Sequence, residues 1–330
     1  MDKVRLFLGI AISLASLALA LRGVQFSEVA DSLGRTNYVL LLPAVATIPF
    51  TLWARTLRWK LLFFPITHVH LSKLFSVLNI GYLISGVFPF RLGDVARAFL
   101  IGELESVSRA RALSTIVVER LLDTLTIVLF LVLLLPLLDV PEWIVRPGIG
   151  VGVGFLGLGV FLFALSYQQE RAVSVFERLS RPLPRTWQKR SAAGFASLVG
   201  GFEILRERSV ALPILTWSIF IWGSTALLNY LVMLAFDLQL PFTAAVLLLC
   251  VTTLGMVVPS SPGYVGVFHY LSVLSLSFFG VDQALALSYA LVLHALVYII
   301  LVLAGVACLW RESYSYHDIK VRAIKARLED

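Results

Sequence analysis

Six apolar runs, at about 4–21, 37–53, 111–138, 147–167, 211–235 and 282–310, limit what this chain can become. A helix that crosses a bilayer needs about 20 predominantly apolar residues. The second run is short, but its apolar character extends toward Phe63–Phe64. Composition agrees: 59% of the residues are hydrophobic and 14% charged, with a mean hydropathy of +0.90. A soluble domain is closer to half apolar and a quarter charged. The excess apolar surface has to face lipid, so the chain reads as an all-α polytopic membrane protein.

The formal net charge of +7 does not indicate nucleic acid, because the charges fall between the apolar runs. With the N-terminus in the cytoplasm, 21 of the 27 lysines and arginines are expected inside, among them Arg55 and Arg58 in an inner loop. Arg22, Arg35 and Arg146 lie outside, and Arg91, Arg97 and Arg120 fall within the membrane zone. That asymmetry predicts an N-in, C-in topology. The start, with Lys3, Arg5 and then Ala18-Leu19-Ala20, has the form of a signal peptide or of a first transmembrane helix. In a chain with many later spans it reads as the helix. Cys250 and Cys308 sit in apolar runs and read as small packing residues.

Two further apolar regions, 71–104 and 242–280, are broken by proline and glycine. Each predicts a hairpin, re-entrant or fully spanning, entered from its own side of the membrane. Their centres align: Pro89 with Pro259, Gly93 with Gly263 and Val95 with Val265, each pair 170 residues apart. Each hairpin also stands between two long runs. The expected architecture is thus six spanning helices plus two hairpins in an inverted-topology repeat, as in many secondary transporters. Residues 1–36 hold the first helix and an outer loop, 37–138 the first repeat and 139–210 a linking span with amphipathic helices on the inner leaflet. Residues 211–310 form the second repeat, and 311–330 a basic tail. Helices are expected to begin near Leu92 and at Ser261–Pro262, with Ser261 as N-cap and Pro262 at the first helical position. Helix N-termini directed at the bilayer centre would suit an anion.

The motif VFPFRLGDVARAFL places Arg91, Asp94 and Arg97 at every third position, on one helix face. Glu119, Arg120 and Asp123 occupy one side of the following span. Counting from Arg111 at 1.5 Å per residue, Glu119 lies roughly 12 Å deep and Asp123 roughly 18 Å, bracketing a midplane near 15 Å. Six charges facing lipid alone would cost on the order of 15–20 kcal/mol, so they must face one another or a wet cavity. Either Arg91 and Arg97 bind a phosphate, with the carboxylates holding them when the site is empty, or the six form a structural ion-pair network. Two close carboxylates also offer a place for a coupling proton.

Other polar residues read more modestly. His269 and His294 read as a proton relay or as hydrogen-bonded core histidines. Asn79 and Asn229 read as interhelical hydrogen-bonders. No metal or cofactor is expected, since His68 and His70 would need ligands from elsewhere and no nucleotide-binding loop is present.

The stretch PFRLGDVARAFLIGELESVSRARALSTIVVERLLDTL, with PSSPGYVGVFHY far downstream, resembles the lysylphosphatidylglycerol synthase transmembrane family. This is the flippase-like membrane domain of the multiple peptide resistance factor. The resemblance covers nearly the whole chain, with Pro89, Arg91, Gly93, Arg97, Glu119, Arg120 and Asp123 where that family places such residues. It implies a multi-pass protein of a prokaryotic cytoplasmic membrane that moves lipids between leaflets. The second motif departs from the family, with Tyr264 at its usual second glycine and His269 at its usual glutamate. No aminoacyl-transferase domain is expected after Asp330, so lipid aminoacylation is not expected either.

The expected function is therefore a flippase for an anionic phospholipid or lipid-linked phosphate, with proton or ion coupling open. Its substrate-binding residues would be Arg91, Gly93, Asp94, Arg97, Glu119, Arg120, Asp123, Ser261, Gly263, Tyr264 and His269. Two rival readings are an integral membrane transferase acting on a lipid phosphate and a non-transporting scaffold.

Overall fold

The computed structural model describes residues 2–64, 68–88, 92–105, 107–138, 142–182, 184–257 and 260–312, and they are all-helical apart from turns and connections. Thirteen α-helices are present among them. The first is α1 (Asp2–Leu21), joined through a 78° bend to the amphipathic α2 (Phe26–Arg35). Then come α3 (Leu41–Leu61), the short α4 (Leu71–Val87) and α5 (Leu92–Glu105), and the long α6 (Arg109–Leu134). Next are α7 (Glu142–Ser166), α8 (Gln169–Leu179) and α9 (Arg185–Glu203). The last four are α10 (Arg208–Ala235), α11 (Phe242–Gly255), α12 (Val267–Ser277) and α13 (Gln283–Arg311).

Four helical stretches are long and apolar enough to cross a membrane: Tyr38–Leu61, Arg109–Leu137, Arg208–Ala235 and Gln283–Arg311. The bent pair of α1 and α2 makes a fifth candidate. The remaining expected run, 147–167, falls in α7. Side chains are distributed as a bilayer requires. Leu42, Leu133, Ile299, Leu303 and Val306 lie exposed on the outside, while Arg58, Arg97, Glu119, Asp123 and His269 are buried. In water this arrangement would be inverted.

The order long helix, short pair, long helix occurs twice, as α3 to α6 and as α10 to α13. Packing repeats with it. Helix α3 packs on α10; α4 packs on α13, and α11 on α6. Within each unit the short helices pair, and the second short helix packs on the closing long one. Exchanging the two units maps each of these contacts onto another. Local signals set the ends of the closing helices. Ser108 Oγ accepts from the Arg111 N–H at the start of α6, and Asp282 accepts from Ala284 and Leu285 at the start of α13. Such caps contribute about 1 kcal/mol each.

The two interrupted regions differ in their tips. Among the described residues α5 runs from Leu92; Pro89, Phe90 and Arg91 lie outside them, as does Pro259. In the second region the expected helix start is corrected. Ser261 makes no side-chain cap, Pro262–Tyr264 form only a 3-10 turn, and α12 begins at Val267 behind Gly266. The reason is backbone handedness: Gly263, Tyr264 and Gly266 have φ of 68°, 58° and 88°, which a right-handed helix cannot include.

Asn229 bonds across to the Ala245 carbonyl, while Asn79 turns back to Phe75 in its own helix. Both cysteines are free and buried.

Candidate functional site

The charged motif collapses into one network. Arg97 lies wholly inside, with Nη1 3.3 Å from Glu119 Oε1 and Nη2 2.7 Å from Oε2. Its guanidinium stacks 4.1 Å from the ring centre of Trp59, whose Nε1–H donates to Thr115 Oγ1 at 3.0 Å. Glycine makes this path possible. A Cβ at Gly81 would overlap the Arg97 side chain, and one at Gly93 would overlap the Gly81 carbonyl. Gly93 thus serves the close approach of α4 and α5.

Arg120 makes a second fork, with Nη2 2.7 Å from Asp94 Oδ1 and Nε 3.1 Å from Asp94 Oδ2. Its Nη1 stands 3.5 Å from Asp123 Oδ2. Asp94 also lies 3.5 Å from Arg97, one turn along α5, which joins the two forks.

Two arginines from α3 complete the network and correct the sequence reading, which placed them in an inner loop. Arg58 is fully buried; its Nη1 contacts Asp123 Oδ1 at 2.8 Å and Ser218 Oγ at 3.0 Å. Arg55 Nη1 lies 3.6 Å from Asp123 Oδ2, with its guanidinium 4.8 Å from the Trp222 ring centre. Trp222 Nε1–H donates to Asp123 Oδ1 at 3.0 Å. The signal was present in WARTLRWK, because the apolar run continues past both arginines to Phe63–Phe64. Among the described residues, four guanidiniums thus share three carboxylates. Arg91 lies outside them.

A cavity of about 460 Å³ opens between the two units. Its ionic wall is Asp94, Arg120 and Asp123; its opposite wall includes Gly263, Tyr264, Phe268, His294 and Tyr298. Leucines and valines from α10, α11 and α13 line much of the rest. Arg120 keeps 30% of its side chain exposed and Asp94 18%, against 1% for Arg97 and for Glu119. The expected residues therefore divide. Asp94, Arg120, Asp123, Gly263 and Tyr264 line the cavity, whereas Arg97 and Glu119 are buried behind its ionic wall. Ser261 is turned elsewhere, its N–H donating to Ser13 Oγ at 2.7 Å. His269 is buried behind His294 and in contact with it at 3.3 Å.

Fold and interior together define a helical membrane protein with a charged cavity between two related units. The chain belongs to the family described as Lysylphosphatidylglycerol synthase TM region, which it matches over residues 6–305. It is also similar to a UPF0104 membrane protein of Methanothermobacter thermautotrophicus. The two are 24% identical over 319 residues, which is 91% of this chain and 93% of the relative.

Proposed function

We propose that the protein translocates a phosphate-bearing lipid between leaflets, taking the headgroup into the cavity between the two units while the acyl chains stay in lipid. The observation that carries this reading is the half-buried fork of Arg120 and Asp94 in the wall of a cavity of about 460 Å³. That volume lies in the usual range of ligand sites. A guanidinium presents paired donors to phosphate as it does to carboxylate. An entering phosphate would compete with Asp94 for Arg120, and Asp94 would reclaim the arginine on release. Arg97 and Glu119 would hold α5 against α6 rather than touch the lipid.

Helix lengths support re-entrant hairpins. At 1.5 Å per residue, α4, α5, α11 and α12 reach about 25, 21, 21 and 16 Å, short of a hydrocarbon core near 30 Å. The charge bias supports an N-in, C-in topology, and membership of the family supports a prokaryotic cytoplasmic membrane. Moving Arg55 and Arg58 into α3 leaves that bias in place. The duplicated packing supports alternating exposure of a site between the units.

The test is leaflet exchange of fluorescent phospholipids in vesicles carrying the purified protein, read by chemical quenching of the outer leaflet. Wild type should accelerate exchange, and Arg120→Ala should return it to the rate of protein-free vesicles. Exchange that proceeds unchanged in Arg120→Ala overturns the site, and no acceleration by wild type with any anionic lipid overturns the function.

A further inference from the structure

We infer that His269 and His294 form a proton-binding site, and that a proton added to the pair releases the turn walling the cavity. The inference starts from hydrogen-bond direction. The Gly266 N–H can only donate, and it points to His269 Nδ1 at 3.2 Å. That nitrogen must then be bare, which leaves the proton of a neutral His269 on Nε2. His269 Nε2 lies 3.3 Å from His294 Nδ1, so it donates there and His294 Nδ1 is bare in turn. His294 therefore carries its proton on Nε2, and the Gly263 backbone is close enough to attract it.

The result is a directed chain from Gly266 through two neutral imidazoles to Gly263, bridging both ends of one turn. Nothing in it accepts an extra proton without loss. A proton on His269 Nδ1 would face the Gly266 N–H, donor against donor. A proton on His294 Nδ1 would face the proton of His269 Nε2. Either one breaks a link.

The turn so bridged is held away from its easiest conformation. Gly263, Tyr264 and Gly266 have positive φ, and Tyr264 has a Cβ that disfavours it. A Cβ at Gly266 would also overlap the Ser13 backbone of α1, so the turn is pressed against that helix. Gly263 and Tyr264 form part of the cavity wall, and His294 stands beside them. Breaking the imidazole chain therefore acts directly on the shape of the cavity.

The surroundings leave the pair as the site where a proton would act. Among the described residues, the ionisable groups facing it are Tyr298 on the helix of His294, Tyr264 in the turn and Tyr82 on α4. Asp94, Arg120 and Asp123 stand in the wall of the same cavity, bonded to one another. Helices α11 and α12 and the 9–21 part of α1 carry no Asp, Glu, Lys or Arg, and Lys73 of α4 and Arg311 of α13 lie at the far ends of their helices.

The test has two arms. In the first, the full chain with ¹⁵N-labelled histidine is placed in lipid nanodiscs, and ring nitrogen signals are followed from alkaline to acidic pH. Both rings should be protonated on Nε2 at alkaline pH, and the pair should take up its first proton in one shared step. His294→Asn keeps an acceptor for His269 and should abolish that step; His294→Gln serves if the first variant unfolds. Protonation of His269 on Nδ1 at alkaline pH overturns the inference. So does independent titration of the two rings.

The second arm rests on the proposed lipid translocation. The exchange rate of wild type should change with pH by at most about tenfold per unit, as one proton dictates. His294→Asn should lose that dependence. A wild-type rate that is the same at every pH overturns the coupling of the pair to transport. Shared titration in the first arm without any lipid exchange would leave the proton site standing and refute the translocation reading instead.

Discussion

Arg97 and Glu119 face each other across α5 and α6 through two parallel contacts, 2.7 and 3.3 Å long, with only about 1% of either side chain exposed. Each charge has been taken fully out of solvent, so each depends on the other. Truncating one partner of such a pair costs about 3–5 kcal/mol, because the survivor stays buried without its nearest counter-charge, with only Asp94 at 3.5 Å left to Arg97, or Arg58 and Arg120 at 3.9 Å left to Glu119. Glu119→Ala and Arg97→Ala should each lower the midpoint of thermal unfolding in detergent sharply. The paired change Arg97→Met with Glu119→Leu should recover most of the loss. If the double variant were as unstable as the singles, the pair would contribute more than mutual neutralisation.

Asp94 competes for Arg120, the one guanidinium among the described residues that lines the cavity. Asp94→Asn should therefore increase retention of anionic lipid, because Arg120 is released from a charged partner while α5 remains packed. Arg120→Ala should lose it, with a difference on the order of tenfold or more for charge-assisted hydrogen bonds worth about 1.5–3 kcal/mol. Native mass spectrometry of gently extracted protein measures both.

Gly81 leaves the room through which the Arg97 side chain runs. Gly81→Ala should destabilise by about 1–3 kcal/mol, as overpacking of a filled interior does. Gly34→Ala on α2, where a Cβ would meet nothing, should leave the unfolding midpoint near that of wild type. Thermal unfolding of the two variants side by side checks the contrast.

Glu312, just past the end of α13, joins that end to α4 through Lys73 Nζ and through Ser76 Oγ at 2.8 Å. Burial pushes its carboxyl up, but the bonds from Lys73 and Ser76 outweigh this and hold it below the ordinary glutamate value. A depressed folded value means the contact stabilises above the unfolded value and fades as pH falls through the folded one. Hydrogen exchange at the C-terminal end of α13, taken relative to the intrinsic amide rate at each pH, should accelerate on acidification in wild type. In Glu312→Gln it should already be faster at neutral pH and show less acid dependence.

Much of the site was legible because charges inside apolar runs are costly and must be compensated. Asp94, Arg97, Glu119, Arg120 and Asp123 could be grouped by helical spacing alone. Arg55 and Arg58 were not, because basic residues near the end of an apolar run look the same whether they mark its edge or lie within it. The start of α12 was misread for a related reason: Ser-Pro is a good local helix start, and only the positive φ of Gly263, Tyr264 and Gly266 defers it.

Apolar run length determined a membrane protein, and run order determined two units of long, short pair, long. Those properties follow from transfer free energy, which acts residue by residue along the chain. Which charges lie buried and which face the cavity was decided only by tertiary structure. Arg97 and Arg120 lie in similar surroundings in sequence, yet one is sealed under Trp59 and the other opens onto the cavity. The difference is set by the crossing of α3, α4 and α5 over α6, a relation among helices distant in sequence that no local pattern encodes.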